Sequence, residues 1–485
     1  QVSASGIATL TASGQSGLAV LNDLSASSTA GSAEVSLRSN GAITLDGDVN
    51  ANAVTSSLVS AFAADTFAVN GDIVANGGSF ADIWLDSPGT MVPGLLPAAG
   101  GDLVQSATST IQASASNASV TVDAAGFTLA GTTKALATTG SASLDVQGGA
   151  GSIHDFTVTS DLGSAGATVP ADSSDLTLDG TGIVSGAGSY RADLRIPLPT
   201  AAAKLNLSAN GNLDTSTADL SVTNTGVGSN AAATATLVTR GGGIKVGQAD
   251  IATMGSGSAE LTVNGGADVA VTAALSATAY QGSAEIELIS ASNNLTIDQS
   301  VTATGNTSAT VGAMANDLLT TNADIAANAA TGAAQVDLSS ETDKAVLNGN
   351  VNANGGSQGG VNVSAAQGID VNGDILASAA SANGYADVAL SSAPADTLLP
   401  VGGGNIVQDA ESTIRATGAS ARVSAEASAF ALGGTTEVLA TTGNASLNVQ
   451  GDAGSLHDFT VTSTEGSANA TVAANNGDLT LDGTG

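Results

Sequence analysis

The chain has 485 residues, of which 42% are hydrophobic, 2% are aromatic and none is cysteine. Disulfides and thiolate metal sites are thereby excluded, and so is a core built from bulky rings. A formal net charge of −33, with only ten scattered Lys and Arg, excludes the basic stripe that releases counterions from a nucleic acid.

Only 11% of residues are charged, which argues against a solvated disordered chain. No apolar run reaches the roughly 18 residues of a transmembrane helix. The apolar residues come instead in period-2 pairs, the pattern of half-buried strands.

In chain order, the first complete unit is Gly31 to Ala53. Val35 and Leu37 form one alternation, Ile43 and Leu45 a second, and Val49 follows an Asp-Gly-Asp turn. The first alternation recurs as Val120/Val122 and Leu144/Val146, the second as Phe67/Val69, Phe127/Leu129 and Leu176/Leu178, and the third position as Ile73. Farther on, Leu261, Ile286, Val311, Val336 and Val361 stand 25 residues apart. A period of 20–50 residues marks a solenoid, a propeller or an array. Three short strands in about 25 residues predict a parallel β-helix (β-solenoid). The inward aliphatics of one coil do not offset the entropy of ordering it, so the coils must share a core. Gly, Asn and Asp at the corners are expected to supply positive φ or side-chain caps. Immunoglobulin-like sandwiches need repeats of roughly 100 residues, and hexapeptide helices need shorter coils; the spacing suits neither.

A longer repetition lies over the first. GSASLDVQGGAGSIHDFTVTS from Gly140 returns as GNASLNVQGDAGSLHDFTVTS from Gly443, and DLTLDGTG from Asp175 returns from Asp478. The expectation is one continuous solenoid over 1–485, with a super-repeat of about 303 residues: 1–303 is the first copy and 304–485 a partial second. Gly485 matches Gly182 in mid-repeat, which reads as a window cut from a longer array.

Three segments break the pattern: 86–102, 195–200 and 391–405. They hold seven of the eight prolines, and proline is excluded from central ladders. They read as inserted loops. With Trp84 beside the first of them, Met91, Val92, Leu95, Leu96, Leu398 and Leu399 make two of them apolar. Such loops either fold back over their own sheet or form contact patches for a partner.

Candidate chemistry is sparse. His154 and His457 occupy one position of the super-repeat, each followed by an aspartate, Asp155 and Asp458. They read as a metal ligand or general base, or as polar corner residues. Asp46, Asp48, Asp72 and Asp374 sit at Asp-Gly and Gly-Asp corners. Stacking can align them into a calcium-binding column, and turn chemistry explains them without a metal. No other cofactor is expected.

Units such as GAITLDGDVNANA, FAVNGDIVANGG and AVLNGNVNANGG resemble the coils of filamentous-haemagglutinin-like giant bacterial surface adhesins, repetitive β-helix exoproteins. That resemblance implies a right-handed parallel β-helix, and with it a secreted, extracellular, non-enzymatic rod at the bacterial cell surface, mediating attachment, biofilm or cell–cell contact. It implies partners that are other copies of the chain, host or cell-surface components, or matrix polymers. Two alternatives remain: a self-assembling extracellular filament or sheath subunit, and a carbohydrate-active β-helix enzyme. The enzyme reading needs carboxylates clustered with bases and aromatic platforms.

Overall fold

Parallel ladders with a step near 25 residues run through the computed structural model of the chain. It describes residues 1–87, 101–186, 202–226, 231–392 and 403–485. Among the described residues every regular element is a strand and none is a helix. The strands stack as a β-solenoid of about 18 turns. The chain divides into two compact units, Gln1–Gly242 with Gly247–Gly257, and Gly243–Val246 with Ser258–Gly485.

In the first unit the coil expected from Gly31 has three strands, Ser32–Ser39, Ala42–Leu45 and Val49–Ala53. The next coil repeats them as Ser56–Ala63, Phe67–Val69 and Ile73–Asn76. The long strand then recurs as Phe80–Ser87 and Asn117–Ala124. Each strand pairs in parallel with its counterpart one coil away. Val35 lies against Val59, Val59 against Ile83 and Ile83 against Val120. Ile43, Phe67 and Leu103 form a second inward column, and Val49, Ile73 and Ile111 a third. All of these side chains are buried. The period-2 alternation thus sends one set of residues into a shared core and the other set to solvent.

The second unit has the same plan. Leu261, Ile286, Val311, Val336 and Val361 stand directly above one another in one parallel ladder. The 25-residue sequence period is therefore the physical step from coil to coil. Detail repeats along with the step. In the first copy of the super-repeat, the buried Gln105 Nε2 donates to the Ser109 carbonyl (3.0 Å). In the second, Gln408 Nε2 donates to the Ser412 carbonyl (2.9 Å).

The corners depart from expectation in their cause. Among the described residues Gly368 alone has a positive φ, 147°. Many of the other corner glycines are needed for space, though Gly6 and Gly241 are not. A Cβ on Gly71 would meet the Gly47 carbonyl oxygen at 2.4 Å, and one on Gly373 would meet the Gly349 oxygen at 2.4 Å. Stacked corners bring backbone onto backbone, and only a residue without Cβ admits that approach.

Candidate functional site

Side chains of the corners satisfy one another along the stack. The Asp72 N–H donates to Asp48 Oδ1 (2.9 Å), and the Thr110 N–H to Asp72 Oδ1 (2.7 Å). Asn70 Nδ2 donates to Asp46 Oδ1 (2.8 Å). In the second unit the Asp374 N–H donates to Asn350 Oδ1 (2.9 Å), and the Thr413 N–H to Asp374 Oδ1 (2.7 Å). Asn322, Asn348 and Asn372 pass amide hydrogen bonds from coil to coil, ending on Asp298. Asp46, Asp48, Asp72 and Asp374 therefore act as caps for neighbouring corners. Among the described residues no three or more His, Asp or Glu side chains converge as ligands for a metal ion.

The histidines take a partner that neighbours in sequence do not suggest. His154 Nδ1 lies 2.8 Å from Asp179 Oδ1, one coil on, and His457 Nδ1 lies 2.9 Å from Asp482 Oδ1. The adjacent Asp155 instead accepts the Thr181 N–H (2.8 Å), and Asp458 accepts that of Thr484 (2.7 Å). The hydrogen bonds to Asp179 and Asp482 raise the two imidazole pKa values above the ordinary 6.5. Both rings are exposed, His154 within the strand Ala150–Ser160 and His457 within Ala453–Ser463.

A different arrangement stands on the outward face of the long-strand sheet in the first unit. Trp84, the only tryptophan, points out of the strand Phe80–Ser87 with 56% of its surface exposed, and Phe80, on the same face beyond Asp82, is 52% exposed. Parallel register places Trp84 next to Ser60, and Ser60 next to Ser36. The neighbouring outward column holds Arg38, Phe62, Asp86 and Asp123 in order. The Arg38 guanidinium lies over the Phe62 ring, 5.1 Å from its centre, a cation–π contact. Ser36, Arg38, Ser60, Phe62, Trp84 and Asp86 line a groove of about 230 Å³. Asp86 Oδ1 is buried there and accepts no hydrogen bond. Burial, followed by the charge of Asp123, pushes the Asp86 carboxyl above the usual carboxylate range.

The groove offers a flat indole, a guanidinium donor, two hydroxyls and a carboxyl group. Of its residues, sequence reading singled out Trp84 and expected Asp86 to open the inserted loop 86–102, but Asp86 lies within the strand Phe80–Ser87. Arg38, Phe62 and Asp86 each stand three residues after an inward aliphatic, Val35, Val59 and Ile83. Aligning the coils on those inward positions is the signal that brings them together. Met91, Val92, Leu95, Leu96, Leu398 and Leu399 lie outside the described residues, as does the segment 195–200.

No family model matches the chain, and neither does any curated protein or solved structure.

Proposed function

We propose that the chain is a secreted structural and adhesive solenoid of a bacterial cell surface, working in attachment, biofilm or cell–cell contact by display and without catalysis. The observation that carries this reading is the division of labour between the two faces of each strand. Inward columns are aliphatic and repeat coil after coil, and the corner side chains are taken up by one another. Chemistry that the stack does not use stands on an outward sheet face at Trp84. A repeating scaffold with function on its surface is the way solenoids present binding sites. The resemblance of the coils to those of filamentous-haemagglutinin-like adhesins supports the same reading. An acidic surface keeps such a chain soluble and disfavours polyanionic partners.

The test is adhesion of beads coated with the purified chain to bacterial and host cell layers, with sedimentation of the free chain over a concentration series. Adhesion by a chain that stays monomeric is the expected result. Growth into long assemblies without adhesion would favour a filament subunit, and turnover of glycans by the chain would make it an enzyme.

A further inference from the structure

The second copy of the super-repeat is a built-in control for the groove. Its strands Ala333–Ser340, Gln358–Ala365 and Tyr385–Ser392 correspond to Ser32–Ser39, Ser56–Ala63 and Phe80–Ser87, in the same parallel register. Inward positions remain aliphatic: Val35, Val59 and Ile83 become Val336, Val361 and Val388, all buried. Four outward positions change, while Phe80 and Asp82 keep their character as Tyr385 and Asp387. Arg38, Phe62, Trp84 and Asp86 become Ser339, Ser364, Ala389 and Ser391. The sheet is therefore built equally well without the four groove residues. Nothing in coil geometry requires a tryptophan, a phenylalanine, an arginine and a half-buried carboxylate at those places.

Three features define what the groove takes. First, Trp84 presents an exposed indole, which suits the C–H face of a pyranose ring. Second, the polar groups are of both kinds. Arg38 donates, Ser36 and Ser60 do both, and the half-exposed carboxyl group of Asp86 lines the groove. Third, the charge around the groove is mostly negative: Glu34, Asp82, Asp86, Asp123 and Asp145 all face outward on these strands. That field repels polyanions, while Arg38 already occupies the Phe62 ring that would attract a cation. The open groove is below the ~300 Å³ at which drug-sized pockets begin, so it suits one ring of a longer chain that continues across the sheet.

We propose that the groove formed by Arg38, Phe62, Trp84 and Asp86 binds a neutral polysaccharide, with one pyranose ring stacked on Trp84 and its hydroxyls bonded to Asp86 and Arg38. It is present once in the described residues, in the first copy only. This deepens the adhesive reading and rests on it for its biological setting, but not for its chemistry.

Trp84 is the only tryptophan, so its fluorescence reports the site directly. The experiment titrates the full chain with four neutral hexasaccharides built from glucose (β-1,4 and β-1,3), mannose and N-acetylglucosamine. Hexagalacturonate serves as the anionic probe and choline as the cationic one. At least one neutral hexasaccharide is expected to shift the Trp84 emission saturably below ~10 mM, since a few contacts support a dissociation constant of ~1 mM. Phe62→Ser and Asp86→Ser should each weaken it at least about tenfold. Trp84→Ala, followed by calorimetry, should abolish it. These variants copy the residue type that the second copy carries, and circular dichroism should show their folds unchanged. The proposal is overturned if no neutral hexasaccharide binds, if hexagalacturonate or choline binds more tightly, or if the variants fold and keep the affinity. Coated beads that still adhere when no glycan binds would overturn this inference and leave the adhesive reading standing. Glycan binding without adhesion would do the reverse.

Discussion

Phe67 is the clearest place to test how far one coil depends on the next. Its ring is fully buried and lies between Ile43 on one side and Leu103 on the other. Phe67→Ala removes a ring from a column in which no neighbour has a spare side chain to collapse into the space. Phe→Ala changes in cores cost about 3–5 kcal/mol, as lost transfer energy plus a residual cavity. In a solenoid each coil contacts only its neighbours, so the loss is borne locally. At ~1.4 kcal/mol per tenfold, amide protection should fall about a hundred- to several-thousand-fold at Phe67–Val69. The paired strands Ala42–Leu45 and Asp102–Gln105 should follow. Hydrogen exchange under native conditions, resolved by residue, is the assay. Protection at Ser283–Ser290 in the second unit should not change. A loss of less than about tenfold around Phe67, or an equal loss at Ser283–Ser290, would refute the nearest-neighbour reasoning.

Other consequences follow from the corners and the face. Asp72→Ala and Asp374→Ala each strip the acceptor from a corner N–H at 2.7 Å, and should cost similar amounts, about 1–3 kcal/mol, in chemical denaturation. A large cost at one and none at the other would be inconsistent with equivalent caps. His154 and His457 have folded pKa values raised above 6.5 by Asp179 and Asp482. Their contribution to stability is thus fully present below the unfolded value and is lost as pH rises through the folded one. Proton resonances of the two rings should titrate with midpoints above 6.5, and Asp179→Asn and Asp482→Asn should bring each midpoint down. Asp86 is raised by burial and by Asp123, so its ionised form is the disfavoured one in the fold. Asp86→Asn should raise the melting temperature at neutral pH, and the gain should close as pH falls through the ordinary carboxylate range; a lower melting temperature at pH 7 would contradict this.

The sequence made the core legible because a 25-residue period with period-2 pairs leaves few ways to bury Val35, Ile43 and Val49 together. The alternation decides the inward set, and the step decides what stacks on what. Corner chemistry was half legible. Asp48 and Asp72 do cap, but many of the corner glycines serve backbone approach and not positive φ, a distinction that appears only when one corner lies on another. The partner of His154 was hidden for the same reason, since Asp179 is 25 residues away and adjacent only through the stack. The groove required register as well. Arg38, Phe62 and Asp86 are unremarkable in three separate strands until parallel pairing sets them side by side around Trp84.

If the coils are an interchangeable support and the outward columns alone carry binding, the groove can be moved. Ser339→Arg, Ser364→Phe, Ala389→Trp and Ser391→Asp, with Asp337→Ser and Asn362→Ser, rebuild its lining on the second copy, whose strands share the register. Calorimetry with the neutral hexasaccharide that binds the parent chain should then give twice the stoichiometry at closely similar affinity. A folded variant that still binds at the parent stoichiometry would contradict the account.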